Sequence, residues 1–312
     1  MIAITTTNGK TNAGDAGMRR QSAVLITGAS SGIGYATALR LAAHGTIVFA
    51  GIRRQIDGET LLNEGAGYIK PMLIDVADQT SLLRARAKIE SLREYRLDAL
   101  VNNAGIALAG PLELLPLSEI RKQFDVNFFG ALAAIQTFLP LLRENNGRIV
   151  NVSSISGKLA SPFVGAYSAS KFALEAISDA LRLELRPFGI CVSVVEPGSV
   201  RTPLWRRSID ASLRILDGAE LERRADYEAS IRQMMRVAQQ RELRGISPDR
   251  VARAIEKALT ARRPRARYLV GADARLRLLV SRLPDLIRDL ILTSALGGST
   301  RRTETPLEAR PV

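Results

Sequence analysis

Short apolar runs alternate with amphipathic stretches along most of the chain, which predicts strands and helices in turn. Residues 22–27, 46–51, 68–74, 97–101, 147–153 and 191–195 are strand-length apolar runs, and residues 268–270 add an edge strand. Between them, residues 35–43, 82–95, 118–143 and 167–187 carry helical spacing. Strands apolar on both faces and separated by helices belong to a covered parallel sheet, so the expected fold class is α/β, a doubly wound parallel sheet. Further on, Leu283, Leu286, Ile287, Leu290 and Ile291 recur at i, i+3, i+4, i+7 and i+8, which predicts a helix with one continuous apolar face.

Such a sheet binds ligands at the carboxyl ends of its strands, and the polar motifs fall there. The first strand runs straight into Gly28-Ala-Ser-Ser-Gly32-Ile-Gly34 and a helix, the setting in which glycines bind a dinucleotide. Gly28 permits the tight turn, Gly32 lets backbone approach the pyrophosphate, and Gly34 lets the helix pack on the strand. Read without a ligand, the same residues are a turn and a helix with small packing positions. The second strand ends in Ile52-Arg53-Arg54. A carboxylate here would hold a ribose hydroxyl, whereas two cations suit a 2′-phosphate, so NADP(H) is expected over NAD(H). The alternative is a solvated basic turn. Asp75 closes the third strand, where it can accept from an adenine amino group or cap the helix that begins near Gln79. Asn102-Asn103-Ala104-Gly105 follows the fourth strand, and the segment from Glu196 to Thr202 turns over the same crevice after the sixth.

Tyr167 and Lys171 lie one helical turn apart, so both side chains leave one face. An ammonium beside a phenol favours phenolate and is expected to draw the tyrosine below its ordinary value of about 10, making it a general acid/base. Ser154, at the end of the fifth strand, offers a hydroxyl to a substrate oxygen. Asn127 sits in the apolar stretch Phe124-Asp-Val-Asn-Phe-Phe, where its amide must be hydrogen-bonded, either holding a helix kink or ordering a water.

With 312 residues, 46% of them hydrophobic, the chain can bury one large domain plus extensions. The sole cysteine, Cys191, excludes an intramolecular disulfide and reads as a buried thiol; the sole histidine, His44, reads as a mild cap or surface group. One of each cannot assemble a zinc site of the usual ligand set. No run of eighteen apolar residues is present, so a membrane-spanning helix is not expected. The first twenty residues lack the apolar core of a secretory signal, which gives the expectation of a disordered leader in a cytoplasmic protein. The net charge of +13 is uneven, since residues 1–200 hold 20 Lys+Arg against 17 Asp+Glu and residues 201–312 hold 24 against 14. Aromatics are not interleaved with these cations, and nucleic acid is not expected as a partner. Arg275, Arg277, Arg282 and Arg288 border the last apolar face. That face packs on the core or a second subunit, or makes weak peripheral membrane contact.

Thr27-Gly-x-x-x-Gly-x-Gly34, Asn102-Asn-Ala-Gly105, Tyr167-x-x-x-Lys171 and Pro197-Gly198 follow in this order over roughly residues 22–270. Together they resemble the short-chain dehydrogenase/reductase family, and residues 178–190 with Val-Glu-Pro-Gly198 are similar to its retinol and hydroxysteroid dehydrogenase branch. The resemblance implies a Rossmann sheet of about seven strands. It implies a catalytic tetrad in which Ser154 steadies the substrate oxygen and Tyr167 exchanges its proton. Lys171 lowers the tyrosine pKa and holds the nicotinamide ribose, and Asn127 orders a relay water. Cofactor contacts are implied for the glycine loop with Ser30, Ser31 and Ile33, for Arg53, Arg54, Asp75 and Val76, and for Asn103, Ala104 and Gly105. Pro197, Gly198, Val200 and Thr202 complete them, Thr202 at the carboxamide. Leu204 and Trp205 follow as lipophilic substrate contacts in a lid over residues 203–246. Pairing of the long helices, residues 118–143 and 166–186, implies a homodimer or homotetramer.

The expected function is that of an NADP(H)-dependent oxidoreductase interconverting a lipophilic alcohol and its carbonyl compound. The alternatives are an NAD(H)-dependent dehydrogenase of a small hydroxy compound and a non-catalytic dinucleotide-sensing protein. The expected organisation is a leader over 1–20, a catalytic domain over 21–270, a basic helical extension over 271–296 and a disordered tail over 297–312.

Overall fold

The computed structural model describes residues 20–217 and 221–294. The expected leader, but for Arg20, and the expected tail lie outside the described residues. Seven strands form the sheet: β1 (Gln21–Ile26), β2 (Ile47–Ile52), β3 (Ile69–Leu73), β4 (Tyr95–Asn102), β5 (Arg148–Val152), β6 (Cys191–Pro197) and β7 (Arg267–Val270). All pairings are parallel, in the order β3-β2-β1-β4-β5-β6-β7. The order reverses between β1 and β4, which opens a crevice above their carboxyl ends.

Side chains alternate across the sheet and build two apolar layers. On one face Val24, Ile26, Val48 and Ala50 pack with Leu41 of α1 (Gly32–Ala43) and with Ile255 and Leu259. After α2 (Ile56–Glu64), the opposite face joins Leu25 and Phe49 to Leu82 of α3 (Gln79–Ser91). The next helix runs as α4 (Leu117–Phe124), a π turn at Asp125–Phe129 and α5 (Gly130–Arg143), and it adds Ile135, Phe138 and Leu142 to this layer. By length and composition Leu117–Arg143 could cross a membrane, although no apolar run in the sequence suggested a spanning helix. In the fold this helix buries Asn127 and Gln123 in hydrogen bonds and packs against the sheet. The helix α6 (Gly165–Glu184) then leads to β6.

Two local expectations change and a third, for His44, is met. The third helix stops at Ser91, and Tyr95 opens β4 because its ring packs edge-on to Phe49 with centroids 5.8 Å apart. Cys191 is half-buried rather than buried, since it occupies the first position of its strand. His44 ends α1 on the surface and contacts Glu256, which also accepts from Arg40 Nε at 2.7 Å.

After β6, the chain forms α7 (Pro203–Asp217) and α8 (Leu221–Arg244), and α9 (Pro248–Thr260) returns to cover the sheet. Leu216 and Ile231 of α7 and α8 enclose Leu114, and Ser212 Oγ accepts from Ala109 N at 3.1 Å, so this pair of helices rests on the loop that follows β4. The chain continues as α10 (Ala272–Val280) and α11 (Asp285–Ser294). The apolar face of α11 is not packed on the described core: Leu286 is 82% and Leu290 70% exposed.

Candidate active site

The turn after β1 is pinned by Thr27. Its hydroxyl accepts from the backbone N–H groups of Asn103 and Ala104, each at 3.1 Å, and Asn103 Nδ2 donates to the carbonyls of Thr27 at 3.0 Å and Gly28 at 2.9 Å. The loops after β1 and β4 are thereby held together. Gly28 takes φ +66°, and a Cβ there would lie 2.8 Å from the Ala104 backbone; at Gly34 it would meet Asn103 Nδ2 and the Gly28 carbonyl, each at 2.4 Å. Side chains are excluded at both positions. The first N–H groups of α1 have no side-chain cap from Ser31 and no acidic residue in the first turn. Unsatisfied N–H groups at a helix start suit a pyrophosphate. A Cβ on Gly32 would touch Thr202, so the segment after β6 closes over the same cradle. These features fit a dinucleotide.

The ribose corner differs from the reading of two open cations. Arg54 is held by Asp57, Nη2 to Oδ1 at 2.6 Å and Nε to Oδ2 at 3.1 Å, and this pair holds the Asp57 carboxyl below its usual range. Arg53 is exposed and makes no hydrogen bond or ion pair among the described residues. Arg207 of α7 also acts on Asp57 through its charge, a contribution from the distant lid that spacing could not reveal. Asp75 is exposed and accepts from Ala77 N at 3.0 Å, while the cap of α3 is Asp78, which accepts from Thr80 N. The capping option therefore falls to Asp78.

Tyr167 and Lys171 emerge from the first turns of α6, both buried. Ser154 lies just beyond β5 in extended backbone, where its hydroxyl accepts from Ser156 N at 3.1 Å and hydrogen-bonds the Tyr167 phenol. Asn127 reaches inward from the π turn, its Oδ1 accepting from Ile106 N and its Nδ2 donating to Ile106 O, both at 2.8 Å. A third bond from Nδ2 to Ser170 Oγ at 3.0 Å ties it to α6. The buried amide is satisfied, as its apolar surroundings require. Gly105 lies between Asn127 and Lys171, since a Cβ there would be 3.3 Å from Asn127 Oδ1 and 3.8 Å from Lys171 Nζ.

The electrostatics correct the sequence reading. Burial pushes the Tyr167 phenol up to about 12, against the smaller opposing effects of Ser154 and the charge of Arg277. The Lys171 charge does not bring it below the ordinary value. Its Nζ donates to Val152 O at 2.9 Å, lies 5.9 Å from the ring centroid, and is itself pulled down to about 8 by burial. The physical reason is desolvation, which outweighs a charge turned toward a carbonyl. Trp205 covers the phenol, its ring edge-on at 5.4 Å between centroids. Arg277, read from sequence as a border of an apolar helix, instead faces the site and donates to Ser161 Oγ at 3.0 Å.

Residues 22–212 match the short chain dehydrogenase family. The chain is 40% identical over 261 residues to 3-amino-tetrahydro-pyrrolizinone reductase of Xenorhabdus hominickii, covering 83% of this chain and 89% of that one. It is 38% identical over 291 residues to retinol dehydrogenase 5 of Homo sapiens, with 88% of each covered. It is 32% identical over 253 residues to NADPH-dependent 3-dehydrocapnine reductase of Ornithobacterium rhinotracheale, with 79% and 87% covered. A solved short-chain dehydrogenase from Streptomyces avermitilis has a TM-score of 0.71 at 29% identity, over 90% of this chain and 99% of that one. The chain belongs to the short chain dehydrogenase family, and within it resembles the retinol dehydrogenase branch. It is an oxidoreductase of CH–OH and carbonyl groups.

Proposed function

We propose that the chain is an NADP(H)-dependent reductase and dehydrogenase of a lipophilic alcohol and its ketone or aldehyde, with Asn127, Ser154, Tyr167 and Lys171 as its catalytic tetrad and residues 21–270 as its catalytic domain. The observation that carries this reading is the convergence of the Tyr167 phenol, the Ser154 hydroxyl and the Lys171 ammonium beside the glycine cradle. A bound nicotinamide dinucleotide supplies the hydride or accepts it. Ser154 and Tyr167 grip the substrate oxygen. Held at about 12, Tyr167 keeps its proton at neutral pH and serves as the acid that completes carbonyl reduction. The charge of Lys171 favours the phenolate left behind. Asn127 fixes the Ile106 backbone, and so the loop carrying Gly105. Trp205 and the apolar contacts of α7 and α8 favour a lipophilic substrate. Two relatives are reductases by name, one of them NADPH-dependent, and a third is a retinol dehydrogenase. A turnover screen of lipophilic ketones and alcohols with NADPH and NADH tests the assignment; absence of any turnover would overturn it.

Exposed apolar side chains favour two associations. Phe129, Phe172 and Leu183 stand exposed on the long helices through which a homodimer or homotetramer would form. Leu276, Leu279, Leu286 and Leu290 stand exposed on α10 and α11, close in sequence to Arg275, Arg282 and Arg288, which favours peripheral contact with an anionic bilayer. Basic residues near such a surface contribute about 1 kcal/mol each. The protein is therefore expected to sediment with anionic but not neutral vesicles at low salt, and to be released by high salt. Protein left in the supernatant with anionic vesicles would remove the membrane contact.

A further inference from the structure

One turn beyond Lys171 on α6, Glu175 enters a cluster of charges that the proposed chemistry does not use. Lys158 Nζ lies 2.8 Å from Glu175 Oε2 and 3.7 Å from Glu196 Oε1. Arg267 reaches Glu175 Oε2 at 3.2 Å, Asp179 Oδ2 at 2.7 Å and Glu196 Oε1 at 3.1 Å. The side chains of Glu175 and Glu196 are only 5% and 2% exposed, and both carboxyl groups share Lys158 and Arg267 as partners. Glu175 Oε1 is buried without a donor among the described residues. Two buried carboxyl groups side by side do not both ionise readily, so one keeps a proton.

We propose that Glu175 and Glu196 share one proton and act as positioning residues for Lys171, Glu175 holding the buried ammonium charged and Glu196 adding a second negative charge when it releases the shared proton. This rests on the role given to Lys171 above. The groups that face the pair are Lys158 from the loop after β5, Lys171 and Asp179 on α6, and Arg267 on β7. Burial, and next the charge of Glu175, raise Glu196 to about 7, with Lys158 and Arg267 opposing. Burial lowers Lys171 to about 8, and Glu175 opposes that. Glu196 becomes negative as pH rises through about 7, before Lys171 loses its proton near 8. Lys158 also lines a groove of about 700 Å³ with Ser161 and Phe172, a path for proton exchange with solvent.

Two measurements on the full chain do not depend on turnover. Infrared titration is expected to show a buried protonated-carboxyl band that fades through about pH 7 and is absent in Glu196→Gln. NMR of isotope-labelled lysine, with Lys171 assigned by Lys171→Met, is expected to show its titration midpoint about one pH unit lower in Glu175→Gln, a shift typical of losing one nearby charge. Glu175→Asp should keep most of the wild-type midpoint, and Glu196→Gln should shift it less than Glu175→Gln and in the same direction. If Glu175→Gln does not fold, the Glu196→Gln arm decides. Absence of the infrared band, or a Lys171 midpoint unchanged by either Gln substitution, overturns the proposal and leaves a structural ion cluster. In the pH profile of carbonyl reduction, Glu175→Gln should lose activity about tenfold relative to wild type on the alkaline limb and little at pH 6. No turnover in the wild type, with both spectroscopic results as expected, would sink the reductase reading but not the proton-sharing pair.

Discussion

Tyr167→Phe is expected to lose turnover by about 100- to 10,000-fold, the usual contribution of a positioned general acid. Cofactor affinity and thermal stability should stay close to wild type, because the substitution removes one oxygen and keeps the ring that packs edge-on with Trp205 at 5.4 Å. Ser154 remains hydrogen-bonded through its contact with Ser156 N, so no buried group is stranded. The wild-type rate of carbonyl reduction should fall as pH rises through about 8, where Lys171 loses its charge, and not through the phenol, which keeps its proton to about 12. Steady-state kinetics, together with cofactor titration of the Phe variant, check this. Turnover near wild type would remove Tyr167 from the proton-transfer step.

The sheet was legible in the sequence because its strands are largely apolar and the first six end in polar motifs; β2 is buried throughout and passes directly to Arg53. The placing of Asn127 at an inward position was also legible, since an amide among phenylalanines must find partners. What was missed depends on contacts between residues far apart in the chain. Arg277 reaches Ser161 across 116 positions, and Glu196 meets Arg267 across 71, distances over which no periodicity speaks. The tyrosine pKa was misread for a related reason. Spacing predicts that Tyr167 and Lys171 share a helix face, but not that Lys171 turns to Val152 O while burial dominates the phenol. The apolar face of α11 was legible as a pattern, yet its exposure was not, because periodicity gives a stripe and not what covers it.

NADPH is expected to bind more tightly than NADH by about 10- to 150-fold, the value of one charge-assisted hydrogen bond of roughly 1.5 to 3 kcal/mol. Most of this discrimination should come from Arg53. Arg54 is already neutralised by Asp57 at 2.6 Å, and moving it to a phosphate would strand that carboxylate, whereas Arg53 is exposed, makes no hydrogen bond or ion pair among the described residues, and acts on Asp57 only through its charge. Arg53→Ala should therefore bring the two affinities to within a few-fold of each other, while Arg54→Ala should weaken NADPH less and leave NADPH ahead. Because a 2′-phosphate contact is electrostatic and exposed, the preference should shrink as ionic strength rises, and NADH affinity should change little. Fluorescence titration of both cofactors into the wild type and the two variants measures all of this. Equal wild-type affinities would remove the 2′-phosphate site at the end of β2, and a preference untouched by Arg53→Ala would move it to Arg207, the cation that α7 contributes near Asp57.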